Sequence, residues 1–297
     1  MLEFSDITIE DKAWFDEYVI NYGYATLEYN FTTAFIWRQI FNIKVCQSDG
    51  CLVNFADNKK PSFLYPCGVG DKKSVIDKLF SYTKERQIPL VFHSVSERAK
   101  QELETMYPDK FEFIFDRDAG DYIYDAQSLM TLQGKKLSSK RNHINRFEQT
   151  YQNWKYEPIT KENIDEAYEM NLKWCDLSDC QNDKGLRDEA CAVEQAFNHF
   201  FDLKLDGGLL RADGQVVAFS MGDRLDKDTY LVHIEKAFAD INGAYPMINK
   251  QFVINNASEY KYVNREDDAG SEGLRRAKLS YKPVDIVKKY RACYIYK

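Results

Sequence analysis

Hydrophobic positions in the first half of the chain change their period along the sequence. Ile7–Ile20 has apolar residues at helical spacing, with Thr8 in the N-cap position and acidic residues in the first turn, which predicts an opening helix. The aromatic run from Tyr22 to Phe41 keeps helical spacing, which predicts a helix whose aromatic side chains pack in the core. The period then becomes two, which predicts a meander of short strands: Ile43–Gln47, Gly50–Phe55 and Ser62–Pro66.

Helical and strand patterns alternate along the rest of the chain. The first half continues with helices at Asp71–Gln87 and Ser96–Met106 and strands at Leu90–Val95, Phe111–Asp116 and Asp121–Tyr124. The helices predicted in the second half are Gln133–Tyr151, Lys161–Cys175, Arg187–Leu203 and Tyr245–Ser258. The strands predicted there are Trp154–Pro158, Gly208–Ala212, Gln215–Arg224, Thr229–Ile234, Tyr262–Asn264, Tyr281–Val284 and Tyr290–Tyr296.

The two halves show nearly the same order of elements, with helices first, then a strand meander, then helix and strand in turn. This order predicts an α/β fold built from a duplicated unit, although the residues themselves show no repeat. A length of 297 residues also fits two domains. We expect an N-terminal domain at 1–152 with a degenerate, supporting role, and a C-terminal domain at 153–297 that carries the activity.

Composition narrows the classes of partner. The chain is 44% hydrophobic and 14% aromatic, which provides for packed cores and excludes a disordered polypeptide. Its net charge of −7 is spread evenly, which argues against binding duplex DNA through a broad basic surface. No apolar run approaches the roughly 18 residues of a membrane span, and the mixed, acidic N-terminus is unlike a signal peptide. We therefore expect a cytoplasmic protein without an integral membrane segment.

Cysteine usage predicts neither a metal site nor a disulfide framework. The seven cysteines include no CxxC pair, and no histidine close to Cys175 and Cys180 completes a set of metal ligands. Buried free thiols in a reducing compartment are the interpretation this pattern favours.

The segment Gly134–Gln149 is a basic helix in an acidic protein. Lys136, Lys140, His143 and Phe147 share one helical face, with Arg141 and Asn145 beside it. Such a row of cations can grip a polyphosphate or an RNA backbone. A solvent-exposed connector helix is the alternative.

The segment Val232–Lys250 joins a strand end to a helix. His233 and Glu235 alternate to the same side of the strand, and a strand end that opens to a cleft often carries chemistry in α/β sheets. Asn242 and Gly243 then precede the helix, where a glycine lets backbone amides approach a phosphate. His233 could equally be a satisfied core histidine.

The segment Asn264–Pro283 places acids, glycines and bases in one short stretch. We interpret it as a loop that leads into a strand and forms the floor of an anion site. A carboxylate here could take a proton from an amine, and Lys278 could stabilise an oxyanion. An ion-pair network across the loop is the alternative. The residues concerned are Asp267, Asp268, Gly270, Gly273, Arg275, Arg276 and Lys278.

Three motifs together resemble a known family. They are FTTAFIWR at Phe31–Arg38, YIYDAQSLMTLQGKKLSSKRNHINRF at Tyr122–Phe147, and NREDDAGSEGLRRAKLSYKP at Asn264–Pro283. They resemble the GNAT-like C-terminal domain of phosphatidylglycerol lysyltransferase and its soluble relatives, and more distantly the Fem-type peptidyltransferases of cell-wall bridges. The resemblance implies tandem GNAT folds with mixed, splayed sheets flanked by helices.

The resemblance also implies acyl transfer by direct attack, without a metal or a covalently bound cofactor. The donor would be an aminoacyl-tRNA or an acyl-CoA, and the acceptor an amine or hydroxyl of a small molecule or peptide. Glu235, Asp268 or water would accept the proton, and His233 would line the acyl cleft. Lys140, Arg141, Asn142 and Asn145 match the junction motif, which implies a donor-phosphate or structural contact. Glu266, Asp268, Arg275 and Lys278 match the acidic and basic pairs of the last motif.

Two features depart from these relatives and keep other functions open. The chain has no counterpart of the membrane half of the lysyltransferase, so the resemblance leaves a lipid acceptor in doubt. The R/QxxGxG/A phosphate loop of acetyl-CoA enzymes is replaced by ADINGA at Ala239–Ala244. A non-catalytic nucleotide- or tRNA-binding module and a plain acetyl-CoA-dependent N-acetyltransferase remain the alternatives.

Overall fold

A computed structural model describes residues 2–296 of the chain. The strands are β1 (Ser5–Asp6), β2 (Ile43–Ser48), β3 (Cys51–Ala56), β4 (Ser62–Phe63), β5 (Cys67–Gly68), β6 (Val91–Ser96), β7 (Phe111–Asp125), β8 (Lys155–Pro158), β9 (Asp206–Ala212), β10 (Gln215–Arg224), β11 (Thr229–Ala237), β12 (Tyr262–Asn264) and β13 (Asp285–Tyr294).

Helices precede and follow these strands. They are α1 (Lys12–Tyr22), α2 (Phe31–Ile36), α3 (Arg38–Phe41), α4 (Lys72–Glu85), α5 (Glu97–Met106), α6 (Ala126–Thr131), α7 (Ser138–Thr150), α8 (Ile164–Leu177), α9 (Lys184–Asn198), α10 (Phe200–Leu203), α11 (Ala244–Asn256) and α12 (Glu272–Ser280). Single 3-10 turns lie at Ile9–Asp11, Leu27–Tyr29 and Lys135–Leu137. No helix in the described part of the chain is long and apolar enough to cross a bilayer.

The chain divides into two compact units. Unit 1 draws its described residues from Met1–Asp121, Asp267–Ser271 and Ile286–Lys297, and unit 2 comprises Tyr122–Glu266 and Glu272–Asp285. The expected boundary near residue 152 therefore differs from this division, because the segment 122–152 belongs to unit 2. The physical reason is packing: the end of β7 pairs with β12, and both α6 and α7 pack against α11.

Unit 1 contains a mixed sheet in the order β1-β2-β3-β4-β6-β13-β7, of which β7 contributes its first part. Its core is rich in phenylalanine and tyrosine, as the aromatic run of the sequence predicted. Phe31 and Phe35 of α2 are buried, and Phe55 and Phe63 stack with centroids 4.4 Å apart.

Unit 2 contains the end of β7 followed by β12, β11, β10, β9 and β8. β9, β10 and β11 form an antiparallel meander, β11 and β12 run parallel, and β12 is antiparallel to β7. α11 supplies the main apolar cover of this sheet through Met247, Ile248, Phe252 and Val253, all of which are buried.

The parallel strand pair of unit 2 separates after a short contact. Pairing between β11 and β12 ends at Leu231 and Asn264. Beyond that point Arg265 and Glu266 keep backbone hydrogen bonds to Tyr122 of β7, whereas β11 stays paired with β10 as far as Ala237. The two strands therefore follow different neighbours, which opens the sheet between them. We call this opening the splay of unit 2.

Unit 1 repeats this arrangement. Its parallel strands β4 and β6 pair at Phe63 and Phe92. Ser94, two residues after Phe92, has a left-handed backbone with φ 52°, and Glu266 has φ 56° two residues after the last paired residue of β12. This correspondence of pairing and backbone conformation agrees with a duplicated unit.

Most predicted elements are present, but the end of the chain differs. The stretch interpreted as a loop leading into a strand at Tyr281–Val284 forms the helix α12, and the last strand is β13. Phe111–Asp116 and Asp121–Tyr124, predicted as separate strands, are one strand, β7. The two leucines of α12, Leu274 and Leu279, are exposed.

The cysteines are not all free thiols. Cys175 and Cys180 form a disulfide that closes the turn after α8, so the expectation of free thiols is wrong for these two. Among residues 2–296 the other five cysteines form no disulfide, and three of them, Cys46, Cys51 and Cys67, are buried. Among residues 2–296 no cluster of side chains has the composition of a metal site.

Candidate functional site

The candidate site lies at the splay of unit 2. Glu235 lies on β11 beyond the last residue that pairs with β12, and Arg265 directly follows β12. Nη2 of Arg265 donates to Oε1 of Glu235 over 2.8 Å, and each side chain is only 11% exposed. Charge-assisted hydrogen bonds of this kind are strong and directional. This ion pair therefore fixes two side chains from separate strands across the opening.

Two buried polar atoms beside this ion pair have no partner. Asn249 of α11 donates from Nδ2 to Oε2 of Glu235 over 2.8 Å. Because a carboxylate only accepts hydrogen bonds, this contact fixes the orientation of the Asn249 amide. Among residues 2–296, neither Oδ1 of Asn249 nor Nη1 of Arg265 has a hydrogen-bond partner. Since buried polar groups are nearly always satisfied, one acceptor and one donor remain available for a ligand.

An aromatic ring holds two cations at this site. The Tyr281 centroid lies 4.7 Å from Cζ of Arg265 and 4.1 Å from Nζ of Lys140. Tyr124 meets Tyr281 edge-on, with centroids 6.4 Å apart. Burial lowers the pKa of Lys140, and the charge of Arg265 lowers it further. We call Lys140, Glu235, Asn249, Arg265 and Tyr281 the splay cluster.

Lys278 of α12 contacts the backbone of Arg265, the residue that follows β12. Its Nζ donates to the carbonyl of Arg265 over 2.6 Å, and Tyr124 donates from its hydroxyl to the carbonyl of Lys278 over 2.8 Å. One of its three donors therefore holds the backbone of Arg265, and the oxyanion role expected for Lys278 stays a prediction.

His233 is the centre of a buried ion-pair network. Its Nε2 lies 3.0 Å from Asp223 and its Nδ1 3.2 Å from Glu266, and its side chain is 1% exposed. Burial would lower the pKa of His233, but Asp223 and Glu266 together raise it to about 9. At neutral pH the imidazolium donates from both nitrogens and cannot accept a proton. The structure thus favours the core-histidine alternative over a catalytic role.

Asp268 belongs to unit 1 and is fully buried. Its Oδ2 lies 3.3 Å from Nη1 of Arg117, and its Oδ1 accepts the backbone N–H of Gly270 over 3.0 Å. A carboxylate stabilised by a guanidinium and a backbone amide is a poor proton acceptor. The role expected for Asp268 in accepting the proton is therefore not favoured, and the ion-pair alternative for this loop fits it better.

The basic segment before and within α7 divides into different roles. Nη1 of Arg141 donates to the carbonyls of Leu132 and Gly134, of which the second lies at 2.8 Å, so Arg141 holds the turn after α6. This explains Arg141 without a donor phosphate. Lys136 and Asn145 are exposed, and their contact with a donor stays a prediction.

The N-terminus of α11 is covered by α7. A Cβ placed on Gly243 would lie 2.3 Å from the carbonyl oxygen of His143 and 2.8 Å from Cβ of Phe147. Nδ1 of His143 also lies 2.9 Å from Oδ1 of Asn242. The close approach that requires a glycine here is therefore made by α7, and the phosphate contact expected at Asn242 and Gly243 is not supported.

The remaining predicted cations lie on α12. Arg275 is half-buried and Arg276 is exposed, and Gly273 lies within the helix and not at a hinge. Their binding to a donor phosphate stays a prediction. Of the cations that the two motifs single out, Lys140 and Lys278 lie near Arg265, whereas Arg141 is directed to the end of α6.

In unit 1, side chains fill the corresponding opening between the parallel strands β4 and β6. Tyr29 donates from its hydroxyl to the carbonyl of Tyr65, just beyond β4, over 2.9 Å. Ser94 of β6 donates to Oε1 of Glu28 over 2.7 Å, and the same carboxylate pairs with the fully buried Lys289 at 2.8 Å. Side chains from one loop thus bridge the strands where the other unit has its splay cluster.

Sequence reasoning missed three members of the splay cluster. Asn249 is a polar residue on the buried face of a helix, and that mismatch was the signal available in the sequence. Arg265 was assigned to a loop, and Tyr281 to a strand. Their importance depends on α12 returning to the end of β12, which no local pattern indicates.

Comparison with known proteins identifies the family of the chain. The profile of the family described as phosphatidylglycerol lysyltransferase, C-terminal, matches residues 22–293. The chain therefore belongs to this family, as the motifs indicated. The predicted α/β fold class, with mixed sheets flanked by helices, is also confirmed.

Solved structures and a further sequence are similar to the chain. A conserved protein of unknown function from Bacteroides thetaiotaomicron is 37% identical, with a TM-score of 0.96 over 99% of this chain and 100% of that one. L-PGS from Bacillus licheniformis shares the fold, with a TM-score of 0.68 and 18% identity over 97% of this chain and 92% of that one. An uncharacterised protein from Mycoplasmoides gallisepticum is 27% identical over 189 residues, 60% of this chain, and the chain spans 57% of that relative.

Proposed function

We propose that the protein is an acyltransferase that moves an aminoacyl group from an aminoacyl-tRNA to an amine or hydroxyl acceptor at the splay of unit 2. The observation that carries this proposal is the pair of unpartnered buried atoms, Nη1 of Arg265 and Oδ1 of Asn249, on either side of Glu235. Membership of a lysyltransferase family supports the same reaction class.

The chemistry of these atoms suits an aminoacyl group better than a simple acyl group. An aminoacyl ester carries a carbonyl, which accepts hydrogen bonds, and an ammonium, which donates them. Arg265 can donate from Nη1 to that carbonyl, while Asn249 and Glu235 can accept from the ammonium. An acetyl group would leave Oδ1 of Asn249 without a partner, which costs about 1–3 kcal/mol.

Arg265, Asn249 and Glu235 would contribute positioning and charge stabilisation to this reaction. The acceptor attacks the carbonyl carbon, and the developing oxyanion is stabilised by the guanidinium of Arg265, which the contacts with Glu235 and Tyr281 hold in place. Collapse of the intermediate breaks the bond to the ribose oxygen of the tRNA. The coverage of Gly243 by α7 weighs against the acetyl-CoA alternative, because it occupies the helix N-terminus where a pyrophosphate would bind.

A thermal-shift and discharge experiment tests the donor class. The protein is mixed with charged tRNAs, the same tRNAs uncharged, and CoA thioesters, and both its stability and the loss of the radiolabelled acyl group are followed. A ligand at about 100 times its Kd should add about 2.7 kcal/mol to the free energy of unfolding. We expect charged tRNA to stabilise the protein more than uncharged tRNA, and its discharge to accelerate when amine or hydroxyl acceptors are present.

Asn249→Leu is the test variant, and Asn255→Leu on the exposed side of the same helix is its matched control. We expect Asn249→Leu to lose the ability to discharge aminoacyl-tRNA and Asn255→Leu to keep it. Stabilisation by CoA thioesters alone would contradict the proposal and favour the acetyltransferase. Equal binding of charged and uncharged tRNA without discharge would favour a non-catalytic tRNA-binding module.

A further inference from the structure

The carboxylates expected to accept a proton are already engaged. Glu235 accepts hydrogen bonds from both Arg265 and Asn249, each at 2.8 Å. Asp268 is paired with Arg117 and lies in unit 1. A transfer to an amine nevertheless needs a group that takes the proton of the attacking nucleophile. Another titratable side chain near Arg265 is Lys140, which contacts the same aromatic ring.

The geometry of Lys140 is unusual for a lysine. Its side chain is half-buried, and its Nζ lies over the Tyr281 ring at 4.1 Å. Within residues 2–296 its ammonium makes no ion pair and donates no hydrogen bond. Other lysines of the protein at similar or deeper burial, such as Lys236 and Lys289, are paired with carboxylates at 2.6–2.8 Å.

Lys140 and Arg265 both contact the ring of Tyr281, so Lys140 lies in the surroundings of the guanidinium to which the substrate carbonyl binds in the proposed function. The charged or titratable groups that act on it come from three elements. They are Tyr281 after α12, Arg265 after β12 and Glu235 of β11. The carboxylate of Glu235 thus attracts two cations, Arg265 and Lys140, and of these two only Arg265 donates a hydrogen bond to it.

We propose that Lys140 is a catalytic residue that shuttles the proton in this transfer. Its neutral amine takes the proton of the nucleophile as the new bond to the carbonyl carbon forms. Its ammonium then gives a proton to the ribose oxygen as the ester bond breaks. The proton count balances, and no oxidant, metal or further reactant is needed. This assignment rests on the proposed function, since it presumes acyl transfer at the splay cluster.

The electrostatic surroundings agree with this role. Burial, followed by the charge of Arg265, lowers the pKa of Lys140, while Glu235 acts in the opposite direction. A lysine with a lowered pKa has a larger neutral fraction near neutral pH and still carries a proton that it can return. The role differs from the phosphate contact expected from the sequence, for which a permanently charged lysine would suffice.

Rescue by added amines distinguishes proton transfer from a structural role. Lys140→Ala should reduce the rate of transfer by about 10²–10⁴-fold. Small tertiary amines added in solution, which cannot act as acceptors because they form no stable amide, should restore at least a tenth of the wild-type rate, and their effect should depend on the pKa of the amine. Lys140→Arg, which keeps the charge but cannot release a proton, should stay inactive. Lys135→Arg, at an exposed position before α7, is the control.

A second measurement does not need turnover. The rate of trace acetylation of Lys140 by acetic anhydride is followed against pH in the folded protein and in the protein unfolded by urea. We expect Lys140 to become reactive at lower pH when folded than when unfolded. The opposite order, or an active wild type whose Lys140→Ala variant no amine rescues, would overturn the assignment of Lys140 alone. A wild type inactive with every donor would overturn the proposed function itself.

Discussion

The carbonyl oxygen of His143 lies only 2.3 Å from the position that a Cβ on Gly243 would occupy. Gly243 also has φ +91°, a left-handed backbone that side chains other than glycine rarely adopt. The sequence suggested that this glycine admits a phosphate. The structure shows that it admits the backbone of α7, which brings the helix of Lys140 against α11.

Gly243→Ala should therefore destabilise the protein through overpacking. We expect a loss of about 1–3 kcal/mol from the steric clash, in addition to about 1–2 kcal/mol for the left-handed backbone. Gly214→Ala is the matched control, because Gly214 has φ +80° but open space around its Cβ position. Urea unfolding of both variants measures the difference. Equal losses would show that α7 does not press on Gly243.

The pH dependence of stability should reveal the imidazolium at His233. Its folded pKa of about 9 lies above the ordinary 6.5, so its stabilisation is fully present below pH 6.5 and is lost as pH rises through about 9. The full effect is about 3 kcal/mol. The difference in unfolding free energy between wild type and His233→Gln should thus be larger at pH 6 than at pH 10. A difference that stays constant, or grows with pH, would contradict this network.

Lys289 should be essential to unit 1. It is fully buried between Glu28 at 2.8 Å and Asp121 at 2.6 Å. Lys289→Met would leave two buried carboxylates without their cation, and breaking such a network typically costs about 3–5 kcal/mol. Chemical denaturation measures the loss, and Lys288→Met, at the exposed neighbouring position, is the control. If both variants were equally stable, Lys289 would contribute no net stability.

Arg141 should prove structural. Arg141→Ala removes the donor to the carbonyls of Leu132 and Gly134, and we expect the unfolding free energy to fall by about 1–3 kcal/mol. Under conditions where the variant is fully folded, its Kd for a charged tRNA should stay within about twofold of the wild-type Kd. Such a change is far less than one tenfold step in Kd, which is about 1.4 kcal/mol. A large loss of affinity with unchanged stability would restore the donor role expected from the sequence.

The periodic elements of this fold could be predicted from the sequence because their side chains follow a local rule. β10 and β12 have the predicted bounds, and α11 begins within one residue of its prediction. α12 was missed because its apolar residues are exposed and its charges dominate the pattern. The duplicated order of elements was visible, while the exchange of β13 and of residues 267–271 into unit 1 depends on long-range packing.

The candidate site was predicted only in part, for a related reason. Glu235 and Lys140 were found because each belongs to a patterned strand or helix. His233 was assigned chemistry that its two carboxylate neighbours preclude, and one of them, Asp223, lies ten residues away on another strand. A sequence shows which residues can ionise, but their partners, and hence their roles, are set by the fold.

The most direct test of the central claim is a binding measurement with two matched ligands. One is a non-hydrolysable 3′-aminoacylamido-adenosine, and the other is identical except that it lacks the α-amino group. Calorimetry with wild-type protein should show at least about tenfold tighter binding of the amino compound, which is about 1.4 kcal/mol, and Asn249→Leu should abolish that preference. Equal affinity of the wild type for both ligands would contradict recognition of an aminoacyl group by Asn249, Glu235 and Arg265.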